Sequence, residues 1–408
     1  MPGKIADGSL AAKGRLAHEW ASRRMGIIER IKSKNERAHP LAGLRLGFCL
    51  HVTKEMAVLA MAAKGLGAEI AICSANPLSA QDDIAAFLYD EGVHVYAWRG
   101  ETNAQYRQCI QCVLAFRPAI MTDDGGDLHV AAHRQKARGI VGGTEETTSG
   151  VKRLAALEGA GKLLYPVIAV NNARTKYLVD NRHGTGQSTL DGILRATDML
   201  LAGKNMVVCG YGWVGKGVAS RAKGMGAIVT VTEVDPMRAI EARMDGFAVL
   251  RLSDAVPAGD VFVTCTGQTG VIRNEHFLKM KDGAVLANAG HFDVEIDAGA
   301  LYAIGRPAQV RPNVERFDVN GKSLFLLSKG RVVNLVAAEG HPPEVMALSF
   351  ANQLLSILHV AKNHGKMERK VHGVPEKIDE LVAWYALDAM GIRIDEMTEE
   401  QRRYQASS

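Results

Sequence analysis

Three glycines, at positions 210, 212 and 215 of the 408-residue sequence, carry its most legible chemistry. Gly210-Tyr-Gly212-Trp-Val-Gly215 follows the apolar run MVVC and opens a helical pattern. Gly210 permits a tight turn, Gly212 lets a pyrophosphate approach the backbone, and Gly215 lets the helix pack closely on the strand. The free N–H groups and positive dipole end of that helix face the phosphates. Glu233 ends the next strand-like run, 23 residues after Gly210. A carboxylate there accepts from adenosine ribose hydroxyls and repels a 2′-phosphate, which predicts NAD over NADP. Arg238, close behind, works against that preference.

Other polar clusters fall at strand ends or in Gly-rich loops, where a cleft is expected. They are His51-Val-Thr53-Lys-Glu55, the segment from Asn76 to Asp82 with Gln81, Asp123-Asp124-Gly-Gly-Asp127, and Glu145-Glu146-Thr147-Thr148-Ser149. Further on come Lys176 with Asp180 and Asn181, Asn288-Ala-Gly-His291, Asn334, and Gly340-His341-Pro342. Taken singly, each has a plain structural reading. Lys176 and Asp180 have the i, i+4 spacing of a surface helix pair, and DDGGD is an ordinary turn sequence. Their number and their place after strands point to a site without naming a reaction.

The elements that must position these residues alternate. Strand-like runs at 44–50, 69–73, 94–99 and 119–124 are separated by helical patterns at 54–68, 83–92 and 104–116. Residues 139–154 read as a Gly- and Thr-rich loop running into a helix, and 173–203 as a connector with a long helix. A second alternating unit begins at 205, with strands at 228–236, 261–267, 284–290 and 323–330. Residues 343–361 form a long amphipathic helix, and 1–40 and 376–408 read as helical. Strands alternating with helices predict an α/β protein with two doubly wound, Rossmann-like parallel-sheet domains and a small helical C-terminal segment. Two such units facing each other leave a cleft, cofactor on one side and substrate on the other.

Composition narrows the classes. Apolar residues make up 47%, ordinary for a globular chain. The net charge of +5 includes no block of like charge, so nucleic acid is not an expected partner. No apolar run approaches the roughly 18 residues of a membrane span, and the start lacks the apolar core of a secretory signal. Most of the six cysteines lie in apolar runs, and Cys109-x-x-Cys112 has no second pair, so no metal site is expected. These readings predict a reducing, cytoplasmic setting.

LHVTKEMAVL (50–59), DDGGDL (123–128), EETTSGVKRL (145–154), DNRHGTGQSTLDGI (180–193), GYGWVGKGVA (210–219), VTEVDPMRAIEARMDGF (231–247), NAGHFDVEI (288–296) and GHPPEVMALSF (340–350) together resemble the S-adenosyl-L-homocysteine hydrolases, over nearly the whole chain. The form is similar to the short archaeal or thermophilic-bacterial type. The resemblance implies reversible hydrolysis of S-adenosyl-L-homocysteine to adenosine and L-homocysteine, with one tightly held NAD per subunit. The ribose 3′-hydroxyl is transiently oxidised, which acidifies C4′–H; the thiolate is eliminated, and water adds. It also implies a substrate domain at 1–172 completed by 343–373, an NAD domain at 187–338, hinges near 173–186 and 339–342, an oligomerisation segment at 374–408, and a homotetramer. Gly184-Thr-Gly186-Gln-Ser188 is the candidate hinge sequence.

By the same likeness the catalytic residues are His51, Asp124, Lys176, Asp180 and His291. Lys176 and Asp180 meet the ribose hydroxyls, Asp124 is the base for C4′, and His51 moves a proton at the 5′ side. Thr53 and Glu55 meet the adenine edge, Glu146 holds ribose hydroxyls, and His341 lies in the closing loop. Gln81, Met346 and Phe350 complete the substrate side. Thr147, Thr148, Ser149, Asn181, Gly210, Gly212, Trp213, Val214, Gly215, Lys216, Gly217, Glu233, Arg238, Thr266, Ala289, Gly290, His291 and Asn334 hold NAD. An ionised Glu55 only accepts hydrogen bonds, which favours a 6-amino purine over a 6-oxo one. The sequence departs from many members at Arg238, where they carry Asn, and at Glu339, where they carry Met. It also ends at Ser408 without the C-terminal Lys and Tyr that reach a neighbouring NAD site, leaving Arg402 and Arg403 as the candidates there. Three rival readings are the same chemistry on S-inosyl-L-homocysteine, a 2-hydroxy-acid dehydrogenase, and a non-catalytic NAD-binding paralogue. EETTSG and DNRHGTGQST do not belong to the dehydrogenase.

Overall fold

The short apolar runs become the strands of two sheets in the computed structural model, which describes residues 3–407. The first sheet holds β1 (Arg45–Cys49), β2 (Glu69–Cys73), β3 (His94–Tyr96), β4 (Ile120–Asp123), β5 (Gly142–Glu145) and β6 (Val167–Ala169). The second holds β7 (Asn205–Cys209), β8 (Ile228–Thr232), β9 (Ala248–Val249), β10 (Val261–Thr264), β11 (Val285–Asn288), β12 (Arg306–Arg311), β13 (Val314–Val319) and β14 (Lys322–Leu327). A late strand, β15 (Val371–Gly373), returns to the first sheet beside β6, giving the order β15-β6-β5-β4-β1-β2-β3. All of its pairings are parallel. Parallel sheets are covered on both faces, and four of the five residues of β1 and of β2 are accordingly buried.

The second sheet runs β12-β13-β14-β11-β10-β7-β8-β9. It is mixed: β12, β13 and β14 form an antiparallel ribbon on the edge of a parallel sheet. The sequence reading contains neither β12 nor β13. Every residue of β12 is exposed, so it lacks the apolar run that marks the other strands.

A second difference is β5, which lies inside the stretch read as a loop. Its two leading glycines argue against a strand by propensity. Packing explains them: a Cβ on Gly142 would stand 2.6 Å from Val360 Cγ1, and one on Gly143 would stand 2.4 Å from His129 Cε1. A helix and a buried imidazole press on that strand from its two faces.

Both sheets reverse strand order at one point, between β1 and β4 in the first and between β7 and β10 in the second. Crevices outside the carboxyl ends of strands open at such switch points. The helix Lys54–Gly65 follows β1, capped by Thr53, whose hydroxyl accepts from the Met56 N–H. The helix Pro343–Asn363 brings the chain back to the core of the first sheet, where Leu348, Phe350, Leu354 and Ile357 pack with Met56, Leu59 and Ile72. Contrary to the sequence reading, this segment, taken to Lys366, is long and apolar enough to cross a membrane. Burial inside the protein accounts for its composition: Ala347 to Leu354 form an unbroken buried run, so the helix is enclosed nearly all round along that stretch.

Candidate active site

His51 follows β1 and Asp124 follows β4, across the first switch point. His51 Nε2 lies 3.6 Å from Asp124 Oδ2, and His291, which follows β11 of the other sheet, places Nδ1 3.5 Å from Asp124 Oδ1. One carboxylate thus stands between two imidazoles from opposite walls of the cleft. Their donor atoms lie within 4.8 Å of one another, close enough to grip a cation as well as to pass a proton. Burial pushes His51 down to about 4 against the pull of Asp124, so its ring is neutral at neutral pH. Its Nδ1 is 2.7 Å from Ser79 Oγ, which itself donates to the Asn76 carbonyl. Ser79 thus orients the ring and turns Nε2 toward the cleft and Asp124.

The loops that carry these groups are tied by buried side chains that the sequence reading did not single out for the purpose. Asp123 accepts from the N–H groups of Asp124 and His129. Burial pushes its carboxyl up to about 7. Glu145 Oε1 accepts from Gly125 N–H, Thr147 N–H and Thr147 Oγ1–H. Asn288 donates to the carbonyls of Gly290, Phe292 and Gly330, clamping the loop that bears His291. Glu295 holds Thr266 and Gly267 by their N–H groups.

A second buried cluster gathers around Lys176 at the start of a π-helical turn, Tyr177–Gly184. Lys176 Nζ donates to Asp180 Oδ1 (3.2 Å) and Asn181 Oδ1 (2.8 Å), and lies 3.4 Å from Glu146 Oε1. The wider π turn brings residues i+4 and i+5 to one lysine. The pair is buried, not the surface pair its spacing alone implies. Burial opposes the charge on Lys176, but Asp180 and Glu146 outweigh it and leave its pKa raised. Burial would likewise raise Asp180, yet Lys176 and His341 hold it well below the usual carboxylate range. Burial lifts Glu146 to about 7 against the pull of Lys176. Ser349 donates to Asp180 Oδ2 and Gln353 to Glu146 Oε2, both from the helix Pro343–Asn363. His341 Nε2 lies 3.3 Å from Asp180 Oδ1 and its Nδ1 lies 3.2 Å from Ser188 Oγ.

A cavity of about 390 Å³ joins these groups. On the first-sheet side it is lined by His51, Thr53, Glu55, Asp124, Glu146, Thr147, Thr148, Ser149, Lys176, Asp180, Asn181, Met346 and Phe350. Gly212, Trp213, Val214, Arg238, Thr266, Ala289, Gly290, His291, Asn334 and His341 complete it. Leu50, Lys152, Asn171, Thr185, Cys265 and Leu335 also line it and were not anticipated; Asn171 stands just past β6, the same strand-end position that marks the others. Four buried oxygens on its wall, Glu55 Oε1, Asp124 Oδ1, Glu146 Oε1 and Asn334 Oδ1, make no hydrogen bond among the described residues. Buried acceptors left this way call for donors from a ligand.

Six predicted residues do not line the cavity. Gln81 stands behind it and accepts from the Lys54 N–H. Lys216 reaches outward to Glu241 and lies over the Trp213 ring. Gly217 is a packing glycine, since a Cβ there would overlap the Arg182 carbonyl oxygen. Gly210 turns the chain at φ +104°, and a Cβ on Gly215 would fall 2.0 Å from the Gly210 carbonyl oxygen. Glu233 accepts from the N–H groups of Tyr211 and Val234, which aims its carboxylate along the fingerprint turn.

These residues fit NAD. The space above Gly212 is open, its nearest neighbour being Arg238 Nη1 at 3.7 Å from an added Cβ, so a pyrophosphate can reach the backbone there. Asn334 Oδ1 offers an unused acceptor further along the same wall.

Residues 181–340 match the family model described as S-adenosyl-L-homocysteine hydrolase, NAD binding domain, and residues 3–137 match the model for S-adenosyl-L-homocysteine hydrolase. The chain is 55% identical to an adenosylhomocysteinase of Sulfurisphaera tokodaii, covering 99% of this chain and 98% of that one. It is 56% identical to the adenosylhomocysteinase of Sulfolobus acidocaldarius over the same shares. It is also 49% identical to a protein of Methanocaldococcus jannaschii named S-inosyl-L-homocysteine hydrolase, over 98% of both chains. At such identity along practically its whole length, the protein is an NAD-binding enzyme that belongs to the S-adenosyl-L-homocysteine hydrolase family.

Proposed function

We propose that the protein hydrolyses S-adenosyl-L-homocysteine reversibly to adenosine and L-homocysteine, with Asp124 as the base at C4′. The observation that carries this reading is the Asp124 carboxylate, set between His51 and His291 with Oδ1 free of hydrogen bonds. Bound NAD supplies reversible hydride transfer at the ribose 3′ carbon, which makes the neighbouring C4′–H acidic.

The protein's own groups do the rest. Lys176, a buried ammonium paired with Asp180 and Glu146, donates to the 3′-oxygen and stabilises it while the proton of the 3′-hydroxyl passes to the neighbouring Glu146 carboxylate. Asp180 and Glu146 accept from the 2′- and 3′-hydroxyls and so set the ribose against Asp124. His51, neutral with Nε2 toward the cleft, takes a proton from the attacking water and in the reverse sense returns it to the leaving 5′-hydroxyl. Thr53 and Glu55 meet the purine edge, Met346 and Phe350 hold its faces, and Thr185 and Ser188 fix His341 over the ribose. Thr147, Thr148, Ser149 and Asn181 on the first-sheet side and Asn334 across from them face the nicotinamide half, and Glu233 the adenosine ribose. Gly184 to Ser188 form the hinge, a reading supported by the glycines at 184 and 186, where the π turn passes into the next helix.

The protein works as a homotetramer, a reading supported by the apolar side chains exposed along its last segment, Ile392, Ile394, Met397 and Tyr404. Its six cysteines are free thiols, which supports a reducing cytoplasm. Light scattering on the purified protein tests the assembly, and a monomer would refute it.

The activity is tested by thiol release, without added NAD, from S-adenosyl- and S-inosyl-L-homocysteine side by side. Faster release from the adenosyl compound is expected. Release from the inosyl compound alone transfers the chemistry to the 6-oxo substrate. No release from either, with NAD then supplied, overturns the enzymatic role of these residues.

A further inference from the structure

We propose that Lys54 sets the purine preference of this site: its ammonium, held between Glu55 and Glu339, keeps Glu55 a hydrogen-bond acceptor toward the 6-substituent of the base. The inference rests on the reading that Glu55 meets the purine edge.

Glu55 lines the cavity with its side chain 1% exposed. Lys54 does not line it, so Lys54 acts through Glu55 as a positioning residue. Its Nζ stands 3.1 Å from Glu55 Oε1 and 2.9 Å from Glu339 Oε2. Glu55 Oε1 nevertheless makes no directed hydrogen bond, so a lone pair remains for a ligand while the charge is balanced from behind. Glu339 comes from the segment that carries His341. Its other oxygen lies 3.3 Å from Arg195, which also pairs with Asp191. The ammonium is therefore held from two sides.

Lys54 is the charged group paired with Glu55, and the Glu55 backbone N–H and the Thr53 hydroxyl also favour its ionised form. Burial raises the Glu55 carboxyl, and Lys54 is the main pull in the other direction. Without that ammonium, burial shifts the carboxyl further toward its protonated form. A carboxylate accepts only, which suits a 6-amino group and opposes a 6-oxo group; a carboxylic acid both donates and accepts, so it takes either. Loss of Lys54 therefore relaxes the preference, and raising the pH restores it by ionising Glu55 again.

The test measures kcat/KM for thiol release from the S-adenosyl and S-inosyl compounds with holoenzyme carrying Lys54→Met, Lys54→Arg or Glu55→Gln, across the neutral and mildly alkaline pH range. The ratio of the two rates is read, because it does not depend on the fraction of enzyme folded or loaded. Lys54→Met should lower the adenosyl-to-inosyl ratio about tenfold, the order of one mispaired hydrogen bond. The ratio should climb back as pH rises, and Lys54→Arg should retain it. A ratio that Glu55→Gln shifts but Lys54→Met leaves unchanged, or shifts without pH dependence, overturns the role of Lys54 alone. A ratio that Glu55→Gln also leaves unchanged overturns the placement of the base, and this inference with it.

Discussion

Asp124 is the base in the proposed mechanism, and its surroundings and those of Asp123 separate two roles that a carboxylate can play. Asp123, next to it in the chain, is buried, bonded to two backbone N–H groups and pushed up to about 7, so it serves as an anchor. Asp124 faces the cavity with an unbonded oxygen. Asp124→Asn should keep the shape and the loop while removing the base. We expect turnover to fall about 10²- to 10⁴-fold, the usual contribution of a general base. Exchange of solvent deuterium into C4′ of adenosine should stop as well. Retention of that exchange at the wild-type rate would move the base elsewhere, with His51 the next group to examine.

At the scale of elements, the site depends on turns and close approaches. The π turn at Tyr177–Gly184 lets one lysine hold both Asp180 and Asn181, which a regular helix would splay apart. The next helix, Thr185–Thr197, packs on Trp213–Gly224, the helix that opens from the fingerprint. That contact relies on glycine. A Cβ on Gly186 would lie 2.6 Å from the Gly217 carbonyl carbon, and one on Gly217 would lie 1.8 Å from the Arg182 carbonyl oxygen. These are backbone atoms and cannot rotate away. Gly217→Ala should therefore push the fingerprint helix off the π turn, destabilise the protein by about 1–3 kcal/mol, and shed NAD on gel filtration. A variant with unchanged thermal midpoint and full NAD content would show that the two elements are not rigidly coupled.

The whole molecule records its buried histidines in its acid stability. Burial pushes both His51 and His129 down to about 4. Unfolded, each titrates near 6.5. Protonation therefore favours the unfolded chain between those values, so their contribution is fully present above about pH 6.5 and is lost as pH falls toward 4. Asp123 and Glu146, raised to about 7, act in the opposite sense: what they contribute is present at low pH and is lost as pH rises through 7. His129 lies away from the cavity, accepting from Tyr165 and donating to the Thr144 carbonyl, so it can be tested without touching the chemistry. His129→Gln keeps a donor for that carbonyl. Denaturant titrations near neutral pH and near pH 4 should show wild type losing up to about 3 kcal/mol more than the variant. Equal losses would mean that the imidazole is solvated at low pH.

Much of this molecule is decided by neighbours within a few residues, and that much is legible in the sequence. The apolar runs, the fingerprint glycines, Glu233 and the strand-end clusters depend on local periodicity and turn chemistry, which one stretch of chain carries by itself. The long shared motifs add the family. Other features need the folded chain. The glycines of β5 make sense only against Val360 and His129, and the exposed strand β12 only against β13. Lys176 and Asp180 have a surface-pair spacing but lie buried. Residues 51, 124 and 291 meet because the strand ends of the two sheets face each other, and Lys54 meets Glu339 from 285 positions away. Spacing along a chain says nothing of desolvation or of charges brought near through space. Those are set by every element packed around a group, and so by the tertiary structure alone.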